Sequence, residues 1–241
     1  MKLGTHDETT NYCSYGSYRR WSFGYYALYR PFNDKTTDEV LDIYFRVAEQ
    51  VGGEETILGR VTLQEFLTLG SFEHHGEAPT QSHENYNAPR SDKRIFIVTD
   101  PNGKVMYEKN SDYHFIALLN KQVSDRYLAH LRECNVSWVF AGADGQDMAK
   151  AMDVLGCDFG FTHLRLEGGG TINGTFLKAG LLDALSLLIY PGIDGLSGVS
   201  SIFEYRGKAD ELPAAGQALE LKSVETLQDG MVWMQYKFHK I

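Results

Sequence analysis

The chain has 241 residues, 43% of them apolar, which is enough to bury a sizeable core within one domain. Its net charge of −9 speaks against the basic face that a nucleic acid or an anionic membrane requires. No apolar run approaches the roughly 20 residues that span a bilayer, and the polar, aromatic N-terminus has no signal-peptide core, so a cytoplasmic protein is expected.

Residues 36–50 predict a helix, with Thr36 or Thr37 as N-cap and acids in its first turn. Thr56–Leu58 reads as a short strand, and Gly59-Arg60-Val61-Thr62 leads into a helix over Leu63–Leu69. Residues 71–93 are polar, carry His74, His75 and His83, and show no periodicity. They read as a long surface loop and not as a metal site, because such a loop fixes no ligand geometry.

Arg94–Thr99 is an apolar strand ended by the turn Asp100-Pro101-Asn102-Gly103. A second strand spans Tyr113–Leu119, Ser124 caps a helix running through Arg132, and a third strand covers Val136–Ala141. The loop Gly142–Gln146 precedes a helix over Asp147–Leu155, with Asp147 as its cap. Cys13, Cys134 and Cys157 have neither disulfide nor zinc spacing and read as packed thiols.

The most informative stretch follows. An apolar strand through Leu164 and Leu166 runs into Glu167-Gly168-Gly169-Gly170, then a small helix over Asn173–Ala179 closed by Gly180, then an apolar strand over Leu185–Tyr190. Asp183 reads as a turn residue before that strand, and residues 192–201 as a Gly/Ser loop. Two last strands, Leu219–Thr226 and Met231–Phe238, flank the hairpin turn Gln228-Asp229-Gly230. Strands alternating with helices and then a hairpin imply an α/β fold: a mixed, mostly parallel sheet with helices on both faces and a C-terminal antiparallel hairpin.

In an open α/β sheet, ligands bind beyond the carboxyl ends of the strands. Four loops there, Gly59–Thr62, Thr99–Gly103, Gly142–Asp147 and Gly168–Asn173, could form one phosphate cradle. Glycines at a strand-to-helix turn let backbone N–H groups approach an anion that the helix N-terminus favours. Arg60 and Thr62 either add a guanidinium and a hydroxyl to those donors or merely begin a helix. Glu167 is either a partner for substrate hydroxyls or amines, or a strand-end charge reaching solvent.

Gly59-Arg60-Val61-Thr62, Glu167-Gly168-Gly169-Gly170, Asn173-Gly174, Ala179–Leu185 and Pro191 together resemble the dihydrofolate-reductase-like fold. More narrowly, they are similar to the RibD C-terminal pyrimidine reductase domain of riboflavin biosynthesis, from about residue 36 to 241. The resemblance implies NADPH bound through Gly59, Arg60, Thr62, Thr99, Gly168, Gly169, Gly170, Thr171 and Ile172. It further implies hydride transfer to a small heterocyclic or carbonyl substrate, contacts to that substrate from Glu167 and Asn173, and a homodimer. No metal is implied, and no proton donor can be assigned. Ala184 stands where such domains usually carry Glu.

The front departs from that pattern. Domains of this kind open with an apolar strand and a loop like H-M-x-x-S-x-D-G-R, whereas residues 9–32 hold six Tyr, a Trp, two Phe and three Arg without strand alternation. Back-translated and read one base later, Thr10–Tyr26 can encode Gln-Ile-Ile-Ala-His-Met-Ala-Ala-Ile-Asp-Gly-Gly-Arg-Leu-Val-Ile, which is similar to the missing opening. A frameshifted N-terminus and a divergent one with a substrate-binding role of its own are the two explanations. Residues 1–35 are therefore read as an atypical segment and 36–241 as the reductase domain, within a single domain overall. A nucleotide-binding member of the same fold with impaired catalysis is the alternative to an active reductase.

Overall fold

The computed structural model describes residues 10–16, 37–53, 55–109, 111–191 and 201–241; of residues 10–16, 37, 38 and 40 it describes the backbone alone. The strands are β1 (Thr10–Gly16), β2 (Glu55–Gly59), β3 (Ile95–Thr99), β4 (His114–Leu119), β5 (Ser137–Phe140), β6 (His163–Leu166), β7 (Ala184–Ile189), β8 (Gln217–Thr226) and β9 (Val232–Lys240). The helices are α1 (Thr37–Val51), α2 (Arg60–Leu67), α3 (Asp125–Glu133), α4 (Met148–Cys157) and α5 (Gly170–Lys178).

Alternation along the strands builds two cores. Ile57, Ile97, Ile116, Leu118 and Val139 point to one face, where they meet Met148, Ala151, Met152 and Leu155 of α4 and Phe176 and Leu177 of α5. Leu58, Phe96, Val98, Phe115, Ala117, Leu119, Trp138 and Phe140 point to the other, against Leu63 of α2 and Tyr127, Leu128 and Leu131 of α3. A strand that is apolar on both faces must be covered on both. Each large side chain so buried contributes about 1.5–3 kcal/mol.

The nine strands among the described residues form one sheet in the order β5-β4-β3-β2-β6-β1-β7-β9-β8. Pairing is parallel from β5 to β7 and antiparallel for β7–β9 and β9–β8. The expected mixed sheet with its C-terminal hairpin is thus the observed one. The segment without strand alternation nevertheless supplies β1, parallel to β6 and β7, with Tyr12 opposite both Arg165 and Ala184. The cap expected at Thr36 or Thr37 and the loop over 192–200 lie outside what the structure describes, as does the rest of the aromatic N-terminal segment.

Other differences are local. The helix after β2 begins at Arg60 and not at Leu63, which puts Arg60 and Thr62 in its first turn. The α5 helix begins at Gly170, three residues early, and Gly180 follows the C-cap Ala179 at φ 65°. Ser124 and Asp147 cap α3 and α4 as expected. The loop over 71–93 is irregular but fastened to β5. Tyr86 pairs with Trp138 across an antiparallel bridge, Trp138 Nε1 donates to the Glu84 carbonyl, and the Phe140 N–H donates to Asn85 Oδ1. That cover occupies amides that an edge strand would otherwise leave open. His74 and His83 are tied to the start of α3, through Ser124 Oγ at 3.0 Å and Asp125 Oδ1 at 3.0 Å. Among the described residues no helix is long and apolar enough to cross a membrane.

Candidate functional site

The parallel register brings the carboxyl ends of three adjacent strands together. Gly59 of β2 pairs with Thr99 of β3, and Ile57 pairs with Leu166 of β6. Past the strand ends the Glu167 N–H donates to the Ile57 carbonyl at 2.9 Å, and the Gly59 N–H donates to the Gly168 carbonyl at 3.3 Å. These contacts pin the glycine turn beside the start of α2. A Cβ at Gly59 would lie 3.9 Å from the Gly168 oxygen and 4.0 Å from Thr99 Oγ1; one at Gly169 would lie 4.0 Å from Thr62 Oγ1. Gly59, Thr62, Thr99, Gly168 and Gly169 therefore share one cradle.

The glycines divide the work. Gly168 and Gly169 turn at φ 66° and 32°, in the left-handed half of conformational space that side chains rarely adopt. Gly169 is exposed. Gly170 is buried: a Cβ there would strike the Ser201 carbonyl at 2.5 Å, and its own carbonyl accepts from the Glu204 N–H. What Gly170 can offer a ligand is its N–H. Ile172 sends its side chain into the core, while Thr171 is exposed. Asn173 is fully buried behind the turn and donates Nδ2 to the Ile202 carbonyl at 3.0 Å.

The helix ends differ in a way that matters. The α3 and α4 helices are closed by side chains, Ser124 accepting from the Tyr127 N–H and Asp147 from the Lys150 N–H. Among the described residues, the α2 and α5 helices, whose N-termini meet the cradle, have no side-chain cap and no acid in the first turn. Their leading N–H groups and positive dipole ends are left to an anion. Such an arrangement can receive an anion.

A buried acid frames the rim. Asp100, 1% exposed, accepts from the Lys104 and Val105 N–H groups and from the Tyr127 hydroxyl, and its other oxygen faces Arg60 Nε at 3.8 Å. Burial raises its pKa, and the hydrogen bonds and Arg60 offset that only in part. Arg60 is held from its other end by Gln64 Oε1 at 2.6 Å. Of the fourth loop expected in the cradle, Gly142–Asp147, Gly145 packs against Pro101 of the Thr99–Gly103 loop, where an added Cβ would lie 2.8 Å from Pro101 Cβ, and Asp147 is occupied as the α4 cap.

On the α1 side, Glu167 is neither free nor simply solvated. Arg165, buried in β6, donates Nε to Glu167 Oε1 at 2.6 Å. Tyr44 of α1 hydrogen-bonds the same carboxylate; burial and then the Glu167 charge hold its phenol well above the ordinary range. Neither Arg165, Tyr44 nor Asp100 stands out as a site residue in the sequence, although a charge two residues before Glu167 in an apolar strand was a usable signal. Residues two apart share a face, and a buried cation needs a partner.

Residues 78–233 match the model of the RibD C-terminal domain. The structure is similar to a pyrimidine reductase-like protein from Corynebacterium diphtheriae, at 16% identity and a TM-score of 0.61 over 98% of this chain and 94% of that one. A riboflavin biosynthesis reductase from Saccharomyces cerevisiae gives 12% and 0.53 over 99% and 93%. A diaminohydroxyphosphoribosylaminopyrimidine deaminase/5-amino-6-(5-phosphoribosylamino)uracil reductase from Thermotoga maritima gives 12% and 0.56 over 96% of this chain; only 57% of that longer protein is covered. At these identities the likeness concerns the fold.

Proposed function

The chain belongs to the RibD C-terminal domain family, and we propose that it is an NADPH-dependent reductase of the riboflavin-pathway pyrimidine reductase type. The observation that carries this reading is the convergence of two uncapped helix N-termini on a left-handed glycine turn at the ends of β2, β3 and β6. NADPH fits that donor set. The N–H groups of Gly168 to Ile172 would hold its diphosphate, with Gly59 leaving room for it and Arg60, Thr62 and Thr99 adding side-chain donors. When bound, the coenzyme supplies the hydride; the chain's share is to orient the acceptor and exclude water.

Glu167, at the mouth of the turn, is the group suited to a substrate's hydroxyls. Asn173, expected to contact the substrate, is fully buried and instead fixes Ile202 against the turn. The acceptor is a small heterocycle or carbonyl compound. The reading includes a reduced, cytoplasmic setting; of the thiols expected to be packed, Cys134 is buried, whereas Cys157 is exposed. A fluorescence titration with NADPH, followed by turnover of 5-amino-6-(5-phosphoribosylamino)uracil, tests it. Binding with turnover supports the reading, and no binding refutes it. Binding without turnover supports a non-catalytic member, for which the unusual residues 9–32 argue.

The reading also includes a homodimer. Leu219, Leu221 and Val224 are 47%, 51% and 53% exposed on the outermost strand β8, an unusual apolar load for an edge, and a second copy is the occupant proposed. Leu221→Glu should halve the mass seen by light scattering while leaving NADPH affinity unchanged. A wild-type monomer, or a dimer indifferent to the substitution, counts against it.

A further inference from the structure

Among the described residues, Arg165 makes four side-chain hydrogen-bond donations. It is 5% exposed, and beyond Glu167 it donates Nη1 to the carbonyls of Ala48 and Gly52 at 3.2 and 3.0 Å and Nη2 to Thr56 Oγ1 at 3.3 Å. Four donations occupy most of the five N–H groups of a guanidinium. Ala48 lies in the last turn of α1, and Gly52 follows that helix. The α1 helix carries no basic residue of its own in its last turn, so β6 supplies the cation for its carbonyl end. Gly53 makes room: a Cβ there, already at φ 73°, would lie 3.2 Å from Arg165 Cβ.

The same guanidinium thus fixes the end of α1, the start of β2 and the carboxylate at the mouth of the glycine turn. A planar fork held on three sides leaves Nε one direction to point, and Glu167 lies along it. Tyr44, from α1, meets the carboxylate from another side. Because Arg165 holds the helix that carries Tyr44, both partners of Glu167 are set by one residue. We propose that Arg165 is a positioning residue: by clamping α1 to β2 and β6 it orients the Glu167 carboxylate toward the substrate's hydroxyls. The inference rests on the reading of Glu167 as the group that contacts substrate hydroxyls.

The test compares two ligands on the full chain, ribose 5-phosphate as the polyol probe and NADPH as the diphosphate probe, by calorimetry on wild type, Arg165→Met, Arg165→Lys and Glu167→Gln. Arg165→Met should weaken the polyol probe about tenfold and NADPH less than twofold, and Glu167→Gln should weaken the polyol probe similarly. Arg165→Lys, which keeps the charge but loses the fork, should fall between, and it carries the comparison if the methionine variant does not fold. Equal weakening of both probes marks Arg165 as general scaffolding and overturns the proposal. So does unchanged polyol binding in either folded variant, or a wild type that ignores the polyol probe. Failure of the wild type to bind NADPH while the polyol pattern holds refutes the proposed coenzyme and leaves the role of Arg165 standing.

Discussion

Gly168→Ala should weaken NADPH binding by at least about tenfold, roughly 1.4 kcal/mol, and lower the stability of the chain by about 2–4 kcal/mol. The backbone there sits at φ 66°, and a methyl group would lie 2.9 Å from both Nδ2 and Oδ1 of Asn173. Asn173 cannot step aside, since it is fully buried and holds Ile202. The turn must move instead, and it carries the carbonyl that accepts from Gly59 at the head of α2. Displacement at Gly168 therefore reaches both helix ends of the cradle. Gly180→Ala is the control. It has the same sign of φ, 65°, but nothing within 4 Å of the new methyl, so it should cost about 1 kcal/mol of strain and leave NADPH affinity alone. Fluorescence titration and thermal denaturation read both effects; for a chain of this size the Gly168 variant should melt roughly 5–10 °C lower. A Gly168→Ala protein that binds NADPH like wild type would remove the glycine turn from the coenzyme site.

What could be read in the cradle was its backbone chemistry. Glycines between an apolar strand and a helix announce a turn with free N–H groups, whatever surrounds them. The individual duties of Gly168, Gly169 and Gly170 were not readable, because they depend on what packs over α5. The segment at Ser201–Glu204 lies far along the chain and takes the space that Gly170 leaves. Asp100 looked like an ordinary turn residue for a related reason. Its burial comes from Tyr127 and from the Lys104–Val105 N–H pair folding onto it, contacts that span up to 27 positions.

In the fold, β3 and β4 were plain because their apolar residues serve two cores at once. The strand at Thr10–Gly16 was not. Its place between β6 and β7 is held by parallel main-chain pairing, and main-chain pairing leaves no mark in residue type. The same gap explains the partial reading of Glu167. A sequence shows that a carboxylate ends a strand; that a cation two residues earlier is buried beside it requires knowing that α1 covers that face.

Acidification should test the far side of the sheet independently of any ligand. His114 is 3% exposed, with Nε2 3.0 Å from Ser137 Oγ, whose oxygen also accepts the Ala88 N–H. Burial, and then the charges of Arg90 and Lys93, push its pKa from the ordinary 6.5 down to about 4. Between those values the unfolded chain takes up a proton that the folded chain refuses. Stability contributed by the neutral ring is thus complete above pH 6.5 and is lost as the pH falls toward 4, by up to about 3 kcal/mol in all. His130 and His163 are also lowered by burial and add to the same limb, so removing one ring flattens it without abolishing it. His114→Gln keeps a polar group beside Ser137 and cannot charge. It should cost about 1 kcal/mol at pH 7 and shrink the stability difference between pH 7 and pH 5 by about 2 kcal/mol relative to wild type. Urea denaturation at the two pH values measures this. An acid limb equally steep in both proteins would mean that the ring at position 114 is hydrated enough to accept its proton while folded.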